Sequence, residues 1–161
     1  MVKRLIVPVV VGLSMFLFFS GCASKNDISN VTEFDSQAQK EIYKFLKDGR
    51  ENFNQRKEVD LSRFTDNAKL MTHYKKEDIV VSPEELKQIW PEKVQNLNEH
   101  RIKRKTIEVT DMKIEDDTAH VKTNSTYYSV RWRKYYKYKT DLIFKKVNGQ
   151  WKVHKATYKE I

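Results

Sequence analysis

From Glu33 onward the apolar positions change period, from helical spacing early in the chain to alternation late in it. Between Glu33 and Arg56, the residues Phe34, Ala38, Ile42, Phe45, Leu46 and Phe53 fall on one helical stripe. Lys40, Glu41, Lys44, Lys47, Asp48 and Glu51 lie mostly off it, and Asp35 or Ser36 can cap the start. This predicts a long amphipathic helix that needs an apolar surface to lie on. A short second helix is expected around Asp60 to Phe64, pinned by Leu61 and Phe64. Ala68 to Val81 reads as one strand or two, with the charged turn Lys75-Lys76-Glu77-Asp78 inside it. Ser82-Pro83-Glu84-Glu85 is a helix start, with serine as cap, proline in the first turn and glutamate three residues after the cap. Leu86, Ile89, Trp90, Val94 and Leu97 form that helix's inward stripe, and Pro91 is expected to kink or split it after Trp90.

After Arg101 the period is two. Ile102 to Glu115 changes phase between Ile107/Val109 and Met112/Ile114, which predicts a bulge near Thr110 or Asp111. Thr118 to Arg133 is expected as one bent strand. Tyr135 to Val147 puts Tyr136, Tyr138, Thr140, Leu142 and Phe144 on one face, and Lys137, Lys139, Asp141 and Lys145 on the other. Asn148-Gly149 makes a two-residue hairpin into a closing strand, Trp151 to Tyr158. Helices first and a strand meander afterwards predict an α+β domain: a long N-terminal helix and two shorter helices on a curved antiparallel sheet.

Upstream the pattern is different. Lys3 and Arg4 precede about 15 apolar residues ending in Ser20-Gly21-Cys22, and the chain turns polar at Ser24. The run is shorter than the roughly 20 residues a spanning helix needs. Cys22 is the single cysteine, so no intrachain disulfide can form. The small-small-Cys ending resembles the lipobox of bacterial lipoproteins, although Phe19 stands where that family favours leucine. The resemblance implies a signal peptide over 1–21, lipidation of Cys22, and a domain outside the cytoplasm held to a membrane of the bacterial envelope. An uncleaved signal anchor with an incidental cysteine is the other reading. Ala23 to Thr32 is polar and aperiodic, as a tether would be, which leaves 33–161 as the folded domain. Ala23 is not the aspartate that in enterobacteria resembles an inner-membrane retention signal, so outer-membrane sorting is implied for a Gram-negative host.

The order of elements over Glu33 to Ile161 resembles the nuclear transport factor 2-like fold, a cone whose curved sheet wraps the first helix. Two local pieces carry the likeness: Ser82-Pro83-Glu84-Glu85-Leu86 through Trp90, and the close Phe144-Lys145-Lys146-Val147-Asn148-Gly149-Gln150-Trp151-Lys152-Val153. Neither piece is catalytic, and this fold hosts enzymes, binding modules and assembly subunits alike. Enzymes of the fold place an Asp or His acid/base inside the cone with tyrosine donors beside it. Here His73, Asp141 and His154 are the candidates, with Tyr127, Tyr128, Tyr136 or Tyr138 as donors. Lone histidines on strands are more often packing or surface residues. The fold also implies assembly roles, as in periplasmic domains of type IV secretion systems, and dimers formed through the open sheet face.

Charge sharpens the picture. Lys and Arg number 31 against 22 acidic residues; without Lys3 and Arg4 the count is 29 against 22, a net +7. Such a balance suits anionic lipid, acidic glycans or an acidic protein partner, and export argues against nucleic acid. The most basic stretch is also aromatic: Arg131, Trp132, Arg133, Tyr136, Lys137, Tyr138 and Lys139 are the candidate binding residues, with Arg101, Lys103, Arg104 and Lys105 able to join them. The rings could line a mouth for an apolar ligand or partner segment, or simply pair across strands. The lysines could dock an anionic surface, or only keep strands from pairing with other copies. The four histidines, His73, His100, His120 and His154, have no metal-ligand spacing, and no phosphate loop or nucleophile elbow occurs, so no metal or cofactor is expected. The expected function is a membrane-anchored, non-enzymatic binding or assembly module; the alternative is a small lyase or isomerase.

Overall fold

The computed structural model describes residues 27–161. The apolar run expected to be a signal peptide, and Cys22, lie outside the described residues. Six strands form one sheet in the order β2-β1-β6-β5-β4-β3: β1 (Phe64–Tyr74), β2 (Glu77–Val81), β3 (Ile102–Glu115), β4 (Thr118–Ser129), β5 (Lys134–Val147) and β6 (Gln150–Glu160). Two α-helices, α1 (Gln37–Asn54) and α2 (Pro83–Glu99), and a 3-10 turn at Leu61–Arg63 complete it.

Ser36 caps α1 through its side chain on the Gln39 N–H. Phe34, counted with the helical stripe, lies before the helix and packs on Tyr43, ring centroids 5.3 Å apart. The stripe itself does what its spacing dictates. Ile42 and Leu46 are buried, and they join Ile107, Ala119, Val121, Phe144, Trp151 and Val153 in one core cluster. Phe45 meets the fully buried Phe144 edge-on, centroids 5.2 Å apart. The Ser82–Glu85 capping box forms in both directions and starts α2.

Several expectations are corrected. The sheet is mixed: β1 runs parallel to β6, with Lys69 beside Lys155 and Leu70 beside Ala156. The sequence shows strands but not partners, and the α2 crossover between β2 and β3 sends β1 and β2 to the far edge. Pro91 neither splits nor ends α2, which runs unbroken to Glu99. Pro91 is on the exposed side, as is Lys87 one turn earlier, so water can satisfy the carbonyl that proline leaves without a donor. Both of the expected shorter helices are present, as a 3-10 turn of three residues and an α-helix of 17 against the 18 of α1. β4 stops at Ser129 instead of running to Arg133, and a four-residue turn follows. The bulge predicted near Thr110 or Asp111 is present as a register shift between Val109 and Asp111, with a second between Arg104 and Thr106.

The tether expectation also changes. Asp27 and Ile28 are buried, at 3% and 4% exposure, inside the stretch expected to be loose. Asp27 bridges to Glu108 on the outer edge of β3, and the Ile28 N–H donates to the Ile107 carbonyl at 2.8 Å. The Asp27 carboxylate accepts from the Ile107 N–H at 2.9 Å, from Ser29, and from Arg50 of α1 at 3.0 Å. Burial pushes its pKa up, but the Ser29, Ile107 and Arg50 donors outweigh it and hold the carboxyl below its usual range. This latch ties α1, the N-terminal segment and β3 together.

A lowered folded-state pKa means the stabilisation is present above the ordinary carboxylate pKa of about 3.9 and is lost as pH falls through the folded value. Asp27→Asn should cost about 1–3 kcal/mol at pH 7 in urea denaturation, because Arg50 keeps its charge without a counter-charge. The difference from the unmodified protein should shrink as pH falls through the lowered folded-state pKa of Asp27. Equal stability of the two proteins at pH 7 would show the latch to be passive.

Candidate interaction surface

Strand register fixes what each face displays. Phe144 pairs with Val153, Leu142 with Ala156, and Val121 with Leu142, all on the inner face under the helices. The alternate positions face outward. On the outer face Lys139 stands directly opposite Lys159, Lys145 opposite Lys152, and Lys69 beside Lys155. Five of these six lysines are exposed and Lys152 is half-buried. None of the six makes an ion pair among the described residues. Asp141 is the one carboxylate on the outer face of β5 and β6, opposite Thr157 and Lys122. It lines a shallow groove of about 380 Å³ with Lys122, Asn124, Lys139 and Thr110.

Directly opposed like charges destabilise a sheet, by up to about 1 kcal/mol per pair. Three such rows on one face are a cost that preventing edge pairing does not require, because they cross the middle of the sheet and not its rim.

A second basic site is at one end of the sheet. The β4–β5 turn, residues 130–133, rests on the corner between α2 and β3. The Ser129 hydroxyl donates to the His100 carbonyl at 2.9 Å, and the Arg131 N–H points to the same carbonyl at 3.4 Å. Trp132 stacks on the His100 ring with centroids 4.2 Å apart, and Tyr128 lies against Tyr135 at 4.7 Å. Lys134 sits over the Tyr136 ring at 5.0 Å, and Lys105 over Tyr128 at 5.8 Å.

The inner face at this end carries an aromatic ladder. Trp90, Phe53, Tyr127, Tyr138 and Tyr158 follow one another at centroid distances of 6.4, 5.5, 5.4 and 5.6 Å. Arg104 lies between Phe53 and Tyr127, at 5.2 and 4.8 Å from their centroids, and donates to the Tyr127 hydroxyl. Burial, then nearby Glu160, pushes the Tyr138 phenol up to about 12; burial and the Asp78 hydrogen bond push Tyr158 up as well. Both phenols stay protonated at neutral pH, and Tyr158 donates to Asp78.

The structure thus divides the predicted binding residues among three places. Arg131, Trp132 and Arg133 form the turn, Lys137 and Lys139 face outward, and Tyr136 and Tyr138 face inward. Only Trp132 and Tyr136 are brought into ring contact, at 6.5 Å. The histidines do not meet either. His154 sits in the β6 bulge with Nδ1 3.0 Å from the Thr65 hydroxyl, and burial, then Lys145 and Lys69, push its pKa down. His73 is exposed at the far edge strand pair, with Nδ1 3.0 Å from Asp78, which also accepts from Tyr158 at 2.7 Å. Lys69, Lys152, Lys155, Lys159 and His100 were not among the sequence candidates. The three lysines of β6 stand apart along the strand, and pairing them with Lys139, Lys145 and Lys69 required the register.

No family model and no curated protein matches the sequence. Solved structures do. An NTF-2-like protein of unknown function from Silicibacter pomeroyi aligns over 80% of this chain and 100% of its own, with 10% identity and a TM-score of 0.57. A ketosteroid isomerase-like protein from Erwinia carotovora atroseptica aligns over 80% and 98%, with 16% identity and a TM-score of 0.57. A cystatin-like-fold domain of unknown function from Nostoc punctiforme aligns over 78% and 79%, with 10% identity and a TM-score of 0.64. The chain therefore has the nuclear transport factor 2-like fold. At such identities the likeness is one of fold, and function has to be read from this chain's own surfaces.

Converting one member of each lysine row, as in Lys139→Glu, Lys145→Glu and Lys155→Glu, should stabilise the protein by about 0.2–1 kcal/mol per site. Added salt should stabilise the unmodified protein and do less for the triple variant, because the repulsion it screens is gone. A triple variant that melts lower than the unmodified protein would show that these rows are not repulsive.

Proposed function

We propose that this chain is a lipid-anchored protein of the bacterial envelope whose nuclear transport factor 2-like domain is a non-enzymatic binding module for an acidic protein partner. The observation that carries the reading is the set of opposed lysine rows on the outer sheet face. A solvated face has no use for like charges placed in register; an acidic partner relieves the repulsion and gains from it at once. Cys22, preceded by Ser20 and Gly21, supplies the anchor, and outer-membrane sorting follows from Ala23 in a Gram-negative host.

One arrangement favours the alternative, a small lyase or isomerase: Tyr158, Asp78 and His73 are hydrogen-bonded in series at one edge of the aromatic ladder. Its weakness is physical. His73 and Asp78 are both more than half exposed, and the Tyr158 and His73 hydrogen bonds hold the Asp78 carboxyl below its usual range, opposite to what a proton-abstracting base needs. His154, the other candidate, is on the lysine side of the sheet.

A fluorescein-labelled poly-glutamate peptide tests the binding reading by anisotropy. The unmodified protein should bind it at 0.05 M salt, with Kd weakening about tenfold or more in the Lys139→Glu/Lys145→Glu/Lys155→Glu variant. Since that variant is expected to be at least as stable, the loss cannot come from unfolding. Equal affinity in both proteins at low salt would sink the proposal.

A further inference from the structure

The turn at residues 130–133 exposes what the rest of the surface hides. Val130, Trp132 and Tyr135 are 41%, 53% and 59% exposed, three of the five large apolar side chains that the described residues leave in solvent. They sit at one end of the sheet, where the paired ends of β3, β4 and β5 meet at Ile102, Ser129 and Lys134. Around them stand Arg101, Lys103, Lys105, Arg131, Arg133 and Lys134, all exposed, and residues 100–105 and 129–137 contain no carboxylate. The rings are held out by structure. Trp132 is braced on His100, and Ser129, wholly buried, fastens the turn to the His100 carbonyl. Arg101 and Arg133 both take left-handed backbone, φ +48° and +51°, which turns the chain sharply at the base of the tip and at its far side.

Apolar rings at a tip ringed by six cations, with Glu99 beside His100 as the adjacent carboxylate, match the interface of an anionic bilayer. Trp and Tyr settle at headgroup depth, and long basic side chains reach the phosphates beside them. Asp27 pairs antiparallel with Glu108, so the backbone enters the latch from the Glu115 end of β3, the end opposite the tip. Cys22 is five residues before Asp27, at most about 17 Å of chain, so the anchor leaves the edge strand near the middle of β3 and the tip must reach the membrane by its own chemistry.

We propose that the tip formed by Val130, Trp132 and Tyr135, with its ring of arginines and lysines, docks into the interface of an anionic bilayer and sets the domain's orientation on the membrane. The tip chemistry stands independently of the lipid-anchor reading above. The outer lysine rows then run away from the membrane and stay accessible to a partner.

The test uses the full chain as purified from membranes, reconstituted into vesicles of phosphatidylcholine and phosphatidylglycerol whose acyl chains carry bromine near the headgroup. Trp132 emission should be quenched by these lipids. In Trp132→Phe the quenching should disappear, because Trp151 is buried and Trp90, half-buried on α2, packs on Phe53 with its indole N–H bonded to the Lys57 carbonyl. Arg131→Glu/Arg133→Glu, which alters only exposed side chains, should reduce quenching on anionic vesicles to the level seen on pure phosphatidylcholine. Quenching that persists in Trp132→Phe, or none in the unmodified chain, would overturn the docking. Mass spectrometry of the N-terminal peptide separates the two readings. An acylated Cys22 with unquenched Trp132 defeats the tip and keeps the anchor, whereas quenched Trp132 in a chain without acyl groups defeats the anchor and keeps the tip.

Discussion

A single sheet with one apolar face is the constraint on which this molecule depends. Ile42 and Leu46 of α1 lie on Ile107, Val121 and Phe144, and that contact decides which way every strand residue points. Side chains alternate with a period of two, so burying Phe144, Leu142 and Tyr138 sends Lys145, Lys139 and Lys137 outward without further choice. A slip of one residue would bury lysines and expose the core row. The inner packing thus specifies the outer charge pattern, and the register that makes the core also makes the lysine rows.

That coupling explains what could be read from the sequence. The stripe of α1, the Ser82 capping box, the Asn148-Gly149 hairpin and the bulge between Val109 and Asp111 are all local patterns, with their causes within a few residues. The alternation of Lys137, Lys139 and Lys145 against Tyr136, Tyr138 and Phe144 was legible for the same reason. Partnership was not. The parallel seating of β1 on β6 depends on where the α2 crossover returns the chain, and no residue in β1 records it. Lys69 opposite Lys155 was invisible until that seating was known. Asp27 was missed for a related reason: one aspartate in an aperiodic polar stretch gives no sign that Arg50, 23 positions later, and the Ile107 N–H await it.

Pro91 is instructive in the other direction. Proline removes a donor and crowds the preceding turn, but the loss matters only where water cannot replace the bond. The helix puts its half-buried residues Leu86, Ile89, Trp90 and Val94 toward the sheet and Pro91 toward solvent, so the orphaned carbonyl is hydrated and packing on the other side holds the helix together. The tertiary face of a residue, which periodicity gives, decides whether its local penalty is felt.

The same distinction between local chemistry and placement bears on the charged surfaces. Exposed charge acts over a Debye length, about 8 Å at physiological salt, so a basic tip on a long tether would spend most of its time too far from a membrane to matter. The Asp27 latch fixes the N-terminal segment to the edge of β3, and it does so with a carboxylate that stays ionised because Ser29, Ile107 and Arg50 donate to it. A neutral residue there would leave the N-terminal segment and α1 joined by fewer bonds, and the domain would have more orientations open to it. On the readings proposed above, the buried ion pair has a task beyond stability: it fixes the point on the edge of β3 from which the anchored segment departs. A hydrophobic pair of the same volume could hold α1 to β3 equally well. It could not also accept the Ile107 N–H, and that bond is part of what holds the N-terminal segment to the edge of the sheet.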